Sequence, residues 1–126
     1  MKIRVYYEDT DVGGVVYHSN YLNFCERARS ELFFKKGISP ILSSGHFVAR
    51  RIEADYFIPA KFADELFIET KIDTVKNASF TLIQTVFKEE KILFKLKITL
   101  AYITFEGKVQ KFGDDVKKVL LEVLPQ

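Results

Sequence analysis

The stretch Lys91-Ile-Leu-Phe-Lys-Leu-Lys-Ile-Thr-Leu-Ala-Tyr102 sets Ile92, Phe94, Leu96, Ile98, Leu100 and Tyr102 on one side against Lys95, Lys97 and Thr99 on the other. A period of two held over this length is that of a β-strand with one face on a core and the other toward water. Runs of the same period precede it at about 47–57, 66–76 and 79–88, and the run itself continues to about 105. Asn77-Ala78 and Glu89-Glu90 stand where tight turns belong, so the last three strands read as an antiparallel meander, with Pro59 separating off the strand before them.

Ahead of those strands the period changes. Tyr21, Cys25, Ala28 and Leu32, joined by Phe24 and Phe33, recur at three- and four-residue spacing, while Glu26, Arg27, Arg29 and Glu31 fall largely elsewhere. This predicts an amphipathic helix over about 20–36, roughly four turns long. Ser19 or Asn20 is placed to cap its start, Lys35 and Lys36 suit the negative end of its dipole, and Gly37 with Pro40 ends it. Ile3, Val5 and Tyr7 alternate with Arg4 and Tyr6 as a first strand, and Val116, Val119, Leu120 and Val123 form the stripe of a short closing helix over about 114–123. The order strand, long helix, four strands, short helix is α+β, a five-stranded antiparallel sheet wrapping one long helix with one face. Phe80 and Leu82 against Ile83 and Phe87 put apolar groups on both sides of one strand, so the outer face is expected to meet another subunit.

Composition narrows the function classes. With 126 residues and 48% hydrophobic composition, one core and a single domain over 1–126 are expected. A net charge of +2, with Lys and Arg interspersed among acids, leaves no nucleic-acid footprint. The lone Cys25, on the core stripe, and two histidines argue against an internal disulfide and a protein-held zinc. No uninterrupted apolar run of about eighteen residues occurs, so a cytoplasmic protein without stable membrane insertion is expected.

The chemistry-bearing segment is Tyr6-Tyr-Glu-Asp-Thr-Asp-Val-Gly-Gly-Val-Val-Tyr-His18, with acids at Glu8, Asp9 and Asp11 and an imidazole just before the helix. One reading is an ordinary turn, in which Asp and Gly serve only backbone geometry. The other is a hydrolytic centre, in which an acid, open backbone at Gly13-Gly14 and the helix N-terminus converge on a ligand. Composition and spacing leave both open.

The series Arg4-Val5, Thr10-Asp11, Gly14-Val-Val-Tyr-His18, Tyr21 and Glu26-Arg-Ala-Arg29 resembles the 4-hydroxybenzoyl-CoA thioesterase family, and within it the YbgC-type acyl-CoA thioesterases associated with Tol-Pal. The resemblance is carried by the N-terminal quarter of the chain, and the element order agrees with that family's hotdog fold. It implies hydrolysis of an acyl-CoA thioester without metal or redox cofactor, CoA being part of the substrate. It also implies sites shared within a dimer, and a dimer of dimers as the homotetramer. Asp11 takes the place of the catalytic carboxylate, nucleophile or general base, with Tyr7 and His18 in the same site.

Further roles are expected on those terms. Backbone N–H groups over Val16, Tyr17 and His18 are the candidate oxyanion donors, and His18 is placed to orient water, polarise the carbonyl or protonate the leaving thiolate. Asp9 shapes the turn, and Glu26, Arg27 and Arg29 read as a solvated or interface charge cluster. Arg50-Arg51, Lys61 and Lys88 with Lys91 are available to CoA phosphates, and Ser79 at the head of a strand to the pantetheine arm. Phe24, Phe47, Phe57 and Phe80 are either core or an aromatic acyl pocket. The alternative is a hotdog scaffold that binds an acyl carrier protein or an envelope complex without turnover. A dehydratase would need a histidine on the central helix, which has none.

Overall fold

In the computed structural model, which describes residues 1–126, the elements are β1 (Lys2–Arg4), a 3-10 turn (Tyr7–Asp9), α1 (Asn20–Lys35), β2 (His46–Tyr56), β3 (Glu65–Val75), β4 (Ser79–Lys88), β5 (Lys91–Ile103) and α2 (Asp114–Val123). The strands form one antiparallel sheet in the order β1-β3-β4-β5-β2. β3, β4 and β5 are the expected meander, and β2 closes the far edge by pairing with β5 from His46↔Ile103 to Tyr56↔Phe94.

The period-two reading of β5 holds from Phe94 through Leu96, Ile98 and Leu100 to Tyr102, all buried beside Phe80, Leu82 and Val86 of β4 and Leu66 and Ile68 of β3, but it fails at Ile92, which is exposed because a bulge at Leu93 turns Leu93 inward instead. Against this face lies the α1 stripe of Tyr21, Phe24, Cys25, Ala28 and Phe33, all buried, with Leu32 only half-buried. α1 stops as its sequence predicts. Gly37 takes φ +70°, its N–H donates to Phe34 O at 2.9 Å and the Ile38 N–H reaches back to Phe33 O at 3.1 Å, closing the last carbonyls in a Schellman turn. This is the hotdog architecture that the resemblance implies.

Several expectations need correction. β1 ends at Arg4, so Tyr7 does not lie on a strand: Val5 is buried, and the chain then coils into the 3-10 turn, leaving Tyr7 exposed. Arg29 does not stay among the solvated charges of α1, because it turns inward to Gln84. The outer sheet face is not an apolar surface either. Ile83 and Phe87 are half-buried there, among ion pairs Arg51–Glu53 at 2.7 Å, Lys71–Glu69 at 3.7 Å and Lys97–Asp73 at 3.8 Å. Single-residue bulges in β2, between Ala49 and Arg51, and in β3, between Ile72 and Thr74, add to the sheet's twist.

Candidate active site

The segment before α1 folds into a small hairpin. Thr10 pairs antiparallel with Val16, the Asp11 N–H donates to Val15 O at 2.9 Å, and the Gly14 N–H returns to Asp11 O at 3.0 Å. The tip favours glycine at Gly14, which sits at φ +79°, and a Cβ on Gly13 would crowd Asp11 Oδ1 at 3.2 Å. Asp11 Oδ1 accepts the Gly13 N–H at 2.7 Å, while Oδ2 has no partner within the chain. The carboxylate is thus oriented through one oxygen and free at the other.

Asp9 anchors this hairpin from beneath. Its buried carboxylate accepts the Tyr6 N–H at 2.8 Å, and its carbonyl accepts both the Tyr17 N–H at 3.0 Å and the Asn20 side-chain amide at 2.9 Å. Asp9 therefore does shape the turn. Asn20, not the Ser19 hydroxyl, ties the helix start down, since Ser19 already has helical dihedrals and makes no capping bond. A second tie runs through Ala60: its carbonyl accepts the Val16 N–H at 2.8 Å, and its N–H donates to the Tyr21 hydroxyl at 3.0 Å.

These bonds decide which amides remain free. The Val16 and Tyr17 N–H groups are committed to Ala60 and Asp9, whereas the His18 N–H has no acceptor in the chain. Of the three expected oxyanion donors, His18 alone is unspent. The His18 ring is exposed beside Tyr17, at 4.4 Å between ring centres, and its carbonyl accepts the Tyr56 hydroxyl at 2.8 Å.

Asp11 and Tyr7 share an open depression of about 710 Å³ with Thr10, Val12, Gly14 and Phe62. Phe62 escaped the sequence reading. It stands edge-on to Tyr7 at 6.3 Å, presented by a turn in which Ala63 takes φ +72°. Its only sequence signal is a large aromatic beside the turn residues Ala63-Asp64. His18 lies outside this lining, at the start of α1.

Lys61 stands next to the hairpin through its bridge to Val15 and shares a polar depression of about 290 Å³ with Asp64, Lys88 and Lys91. Burial pushes the Asp64 carboxyl up, but Lys88 Nζ at 2.9 Å and the Lys61 N–H at 2.9 Å, with both lysine charges, outweigh it and hold the group below its usual range. A lowered folded pKa contributes stability that is present above the unfolded value and lost as pH falls through the folded one. Lys88→Met should therefore lower stability to urea at pH 7, with the gap to wild type closing as pH drops below the ordinary carboxylate range; a gap independent of pH would contradict this coupling. Ser79 is not brought to Asp11 within one chain. It lies buried at the opposite end of β4 from Lys88, roughly 30 Å away at about 3.3 Å per residue. Arg50 and Arg51 share a depression with Ser79 at that same end. Phe24 and Phe80 are core, Phe47 is half-buried, and Phe57 is exposed.

The model of the thioesterase superfamily matches residues 13–95 of this chain, about two thirds of its length. The chain belongs to the thioesterase superfamily. The matched segment opens two residues after Asp11, on the Gly13-Gly14 pair. Acyl-CoA thioesterase YbgC of Helicobacter pylori is 51% identical over 87 residues, which cover 69% of this chain and 65% of that protein's length. Acyl-CoA thioesterase YbgC of Haemophilus influenzae is 39% identical over 121 residues, covering 91% of this chain and 88% of that protein. These relatives put the chain in the YbgC-type branch of the superfamily. The crystal structure of a probable thioesterase from Bartonella henselae superposes with a TM-score of 0.84 at 37% identity, covering 90% of this chain and 97% of that one.

Proposed function

We propose that this chain is an enzyme that hydrolyses acyl-CoA to the free acid and CoA, with Asp11 as the reacting carboxylate. The observation that carries the reading is an exposed carboxylate fixed through one oxygen and free at the other, beside Tyr7 in an open depression on the hairpin that precedes α1. As nucleophile, the free Oδ2 adds to the thioester carbonyl, the C–S bond breaks and water hydrolyses the resulting anhydride. As general base, it takes a proton from water whose oxygen adds to the carbonyl, and the departing thiolate recovers that proton. In either course negative charge gathers on the carbonyl oxygen, and the unspent His18 N–H with the α1 dipole is the group suited to receive it.

CoA phosphates are assigned to Lys61 and Lys91, since Lys88 is committed to Asp64. We further propose a homodimer joined along β2. This eleven-residue strand pairs only with β5, and its outward edge leaves a row of backbone donors and acceptors for a second copy. In such an assembly Ser79 and the pantetheine arm would meet across subunits, and two dimers would pair as a tetramer. The setting proposed is the cytoplasm, where acyl-CoA is made and used.

The test follows free-thiol release from a panel of aliphatic and aromatic acyl-CoA substrates. His18→Ala keeps the backbone N–H and removes the ring, so kcat is expected to fall by about tenfold, less than for loss of the carboxylate. An unchanged rate would assign the whole role of this position to its amide. Release of no thiol from any substrate would return the chain to the acyl-carrier-binding reading.

A further inference from the structure

We propose that the cleft between the second half of α1 and strands β2, β4 and β5 is a second ligand site, for a compact apolar monocarboxylic acid whose carboxylate pairs with Arg29. The cleft encloses about 260 Å³, walled by Phe33, Phe47, Phe80, Leu82 and Leu100. Its polar lining is Arg29 and His46, with the Glu26 carboxylate and the Ser30 hydroxyl. Arg29 donates through Nη1 to Gln84 Oε1 at 2.9 Å and forms no ion pair with any carboxylate of the chain. Its other donors have no protein acceptor, and Glu26, also lining the cleft, lies beyond salt-bridge distance, although its charge acts on the guanidinium.

The guanidinium is held in place rather than left to wander. Gln84 is fully buried, and its Nε2 donates to Cys25 O at 2.9 Å and Thr70 Oγ1 at 3.0 Å, which fixes the amide so that its oxygen faces Arg29. Burial lowers the Arg29 pKa, yet an arginine remains charged at any physiological pH. A planar donor fork with no carboxylate partner, open to solvent beside an apolar wall, is complementary to a carboxylate carrying a small apolar body. A cavity of about 150 Å³ holds benzene, so this half-open cleft has room for a ring or a short chain with its carboxylate.

The site is separate from the Asp11 depression within the chain. Asp11 is not part of its wall, and Arg29 lies eleven residues beyond His18, roughly 16 Å along the helix axis. The inference does not rest on thioester hydrolysis.

Calorimetric titration of the wild-type protein with benzoate, hexanoate and the neutral isostere benzamide tests it. Benzoate is expected to bind with a Kd of roughly 0.1–1 mM, and benzamide at least about tenfold more weakly. Arg29→Met should weaken benzoate by about tenfold while leaving benzamide unchanged. Ser30→Phe, which fills the cleft from α1, away from the β2 edge, should abolish both and keeps the test informative if Arg29→Met fails to fold. Asp11→Asn should bind benzoate as wild type does, whatever its hydrolytic rate. No binding up to about 10 mM, equal affinity for benzoate and benzamide, or loss of benzoate binding in Asp11→Asn would each overturn the proposal.

Discussion

Asp11→Asn is expected to lower kcat for thiol release by at least about 100-fold, with the melting temperature within about 2 °C of wild type. Asparagine keeps an Oδ1 that can accept the Gly13 N–H, as the aspartate does at 2.7 Å, so the hairpin tip retains its geometry. The substitution removes only what the chemistry needs, a negatively charged oxygen able to attack or to take a proton. The site is exposed, so no buried group is left unpaired and the fold has no reason to weaken. Thiol-release kinetics beside a thermal melt make the comparison. An Asn variant with the wild-type rate would end the mechanism, while a lost rate with a much lower melting temperature would point to a structural role instead.

Phe94→Ala is expected to cost about 3–5 kcal/mol of folding stability and to lower the melting temperature on the order of 10–20 °C. Phe94 is fully buried, stacked on Tyr21 at 4.8 Å and edge-on to Tyr56 at 4.9 Å between ring centres. Its removal opens a void beneath Tyr21, whose hydroxyl accepts the Ala60 N–H, and Ala60 in turn holds the Val16 N–H. The Tyr56 hydroxyl donates to His18 O, so both rings that rest on Phe94 are tied to the helix entrance. Activity should therefore decline at temperatures where the variant is still folded. Urea denaturation measures the first effect, and a loss below about 1.5 kcal/mol would mean that the neighbouring rings collapse into the space.

The long elements were legible because their hydrophobic period is strong over many residues. α2 falls where its stripe puts it, β5 ends at Ile103 rather than at about 105 and leaves Ile92 exposed, and α1 ends one residue earlier than predicted. The first strand misled because Ile3, Val5 and Tyr7 alternate by composition alone, and nothing local to Tyr7 reveals that Asp9 will cap the Tyr6 N–H and coil the chain. Family resemblance singled out Asp11. It did not show that two of the three neighbouring amides are spent, since Val16 is claimed by Ala60, more than forty residues later. The inward turn of Arg29 had a readable signal: Gln84 shares its two-residue phase with Phe80, Leu82 and Val86, a polar side chain on an otherwise apolar face.

That glutamine also bears on how the sheet finds its alignment. A slip of β4 by one residue would exchange the two faces of the strand, carrying Gln84 to water and depriving Thr70 Oγ1 and Arg29 Nη1 of their partner, and Cys25 O of its second donor. Because Ile83 and Thr85 on either side are tolerable inside, the apolar pattern alone discriminates weakly between the two alignments at this point. The amide makes the wrong one expensive, so the strand carries its own proofreading mark, read by the helix as it docks.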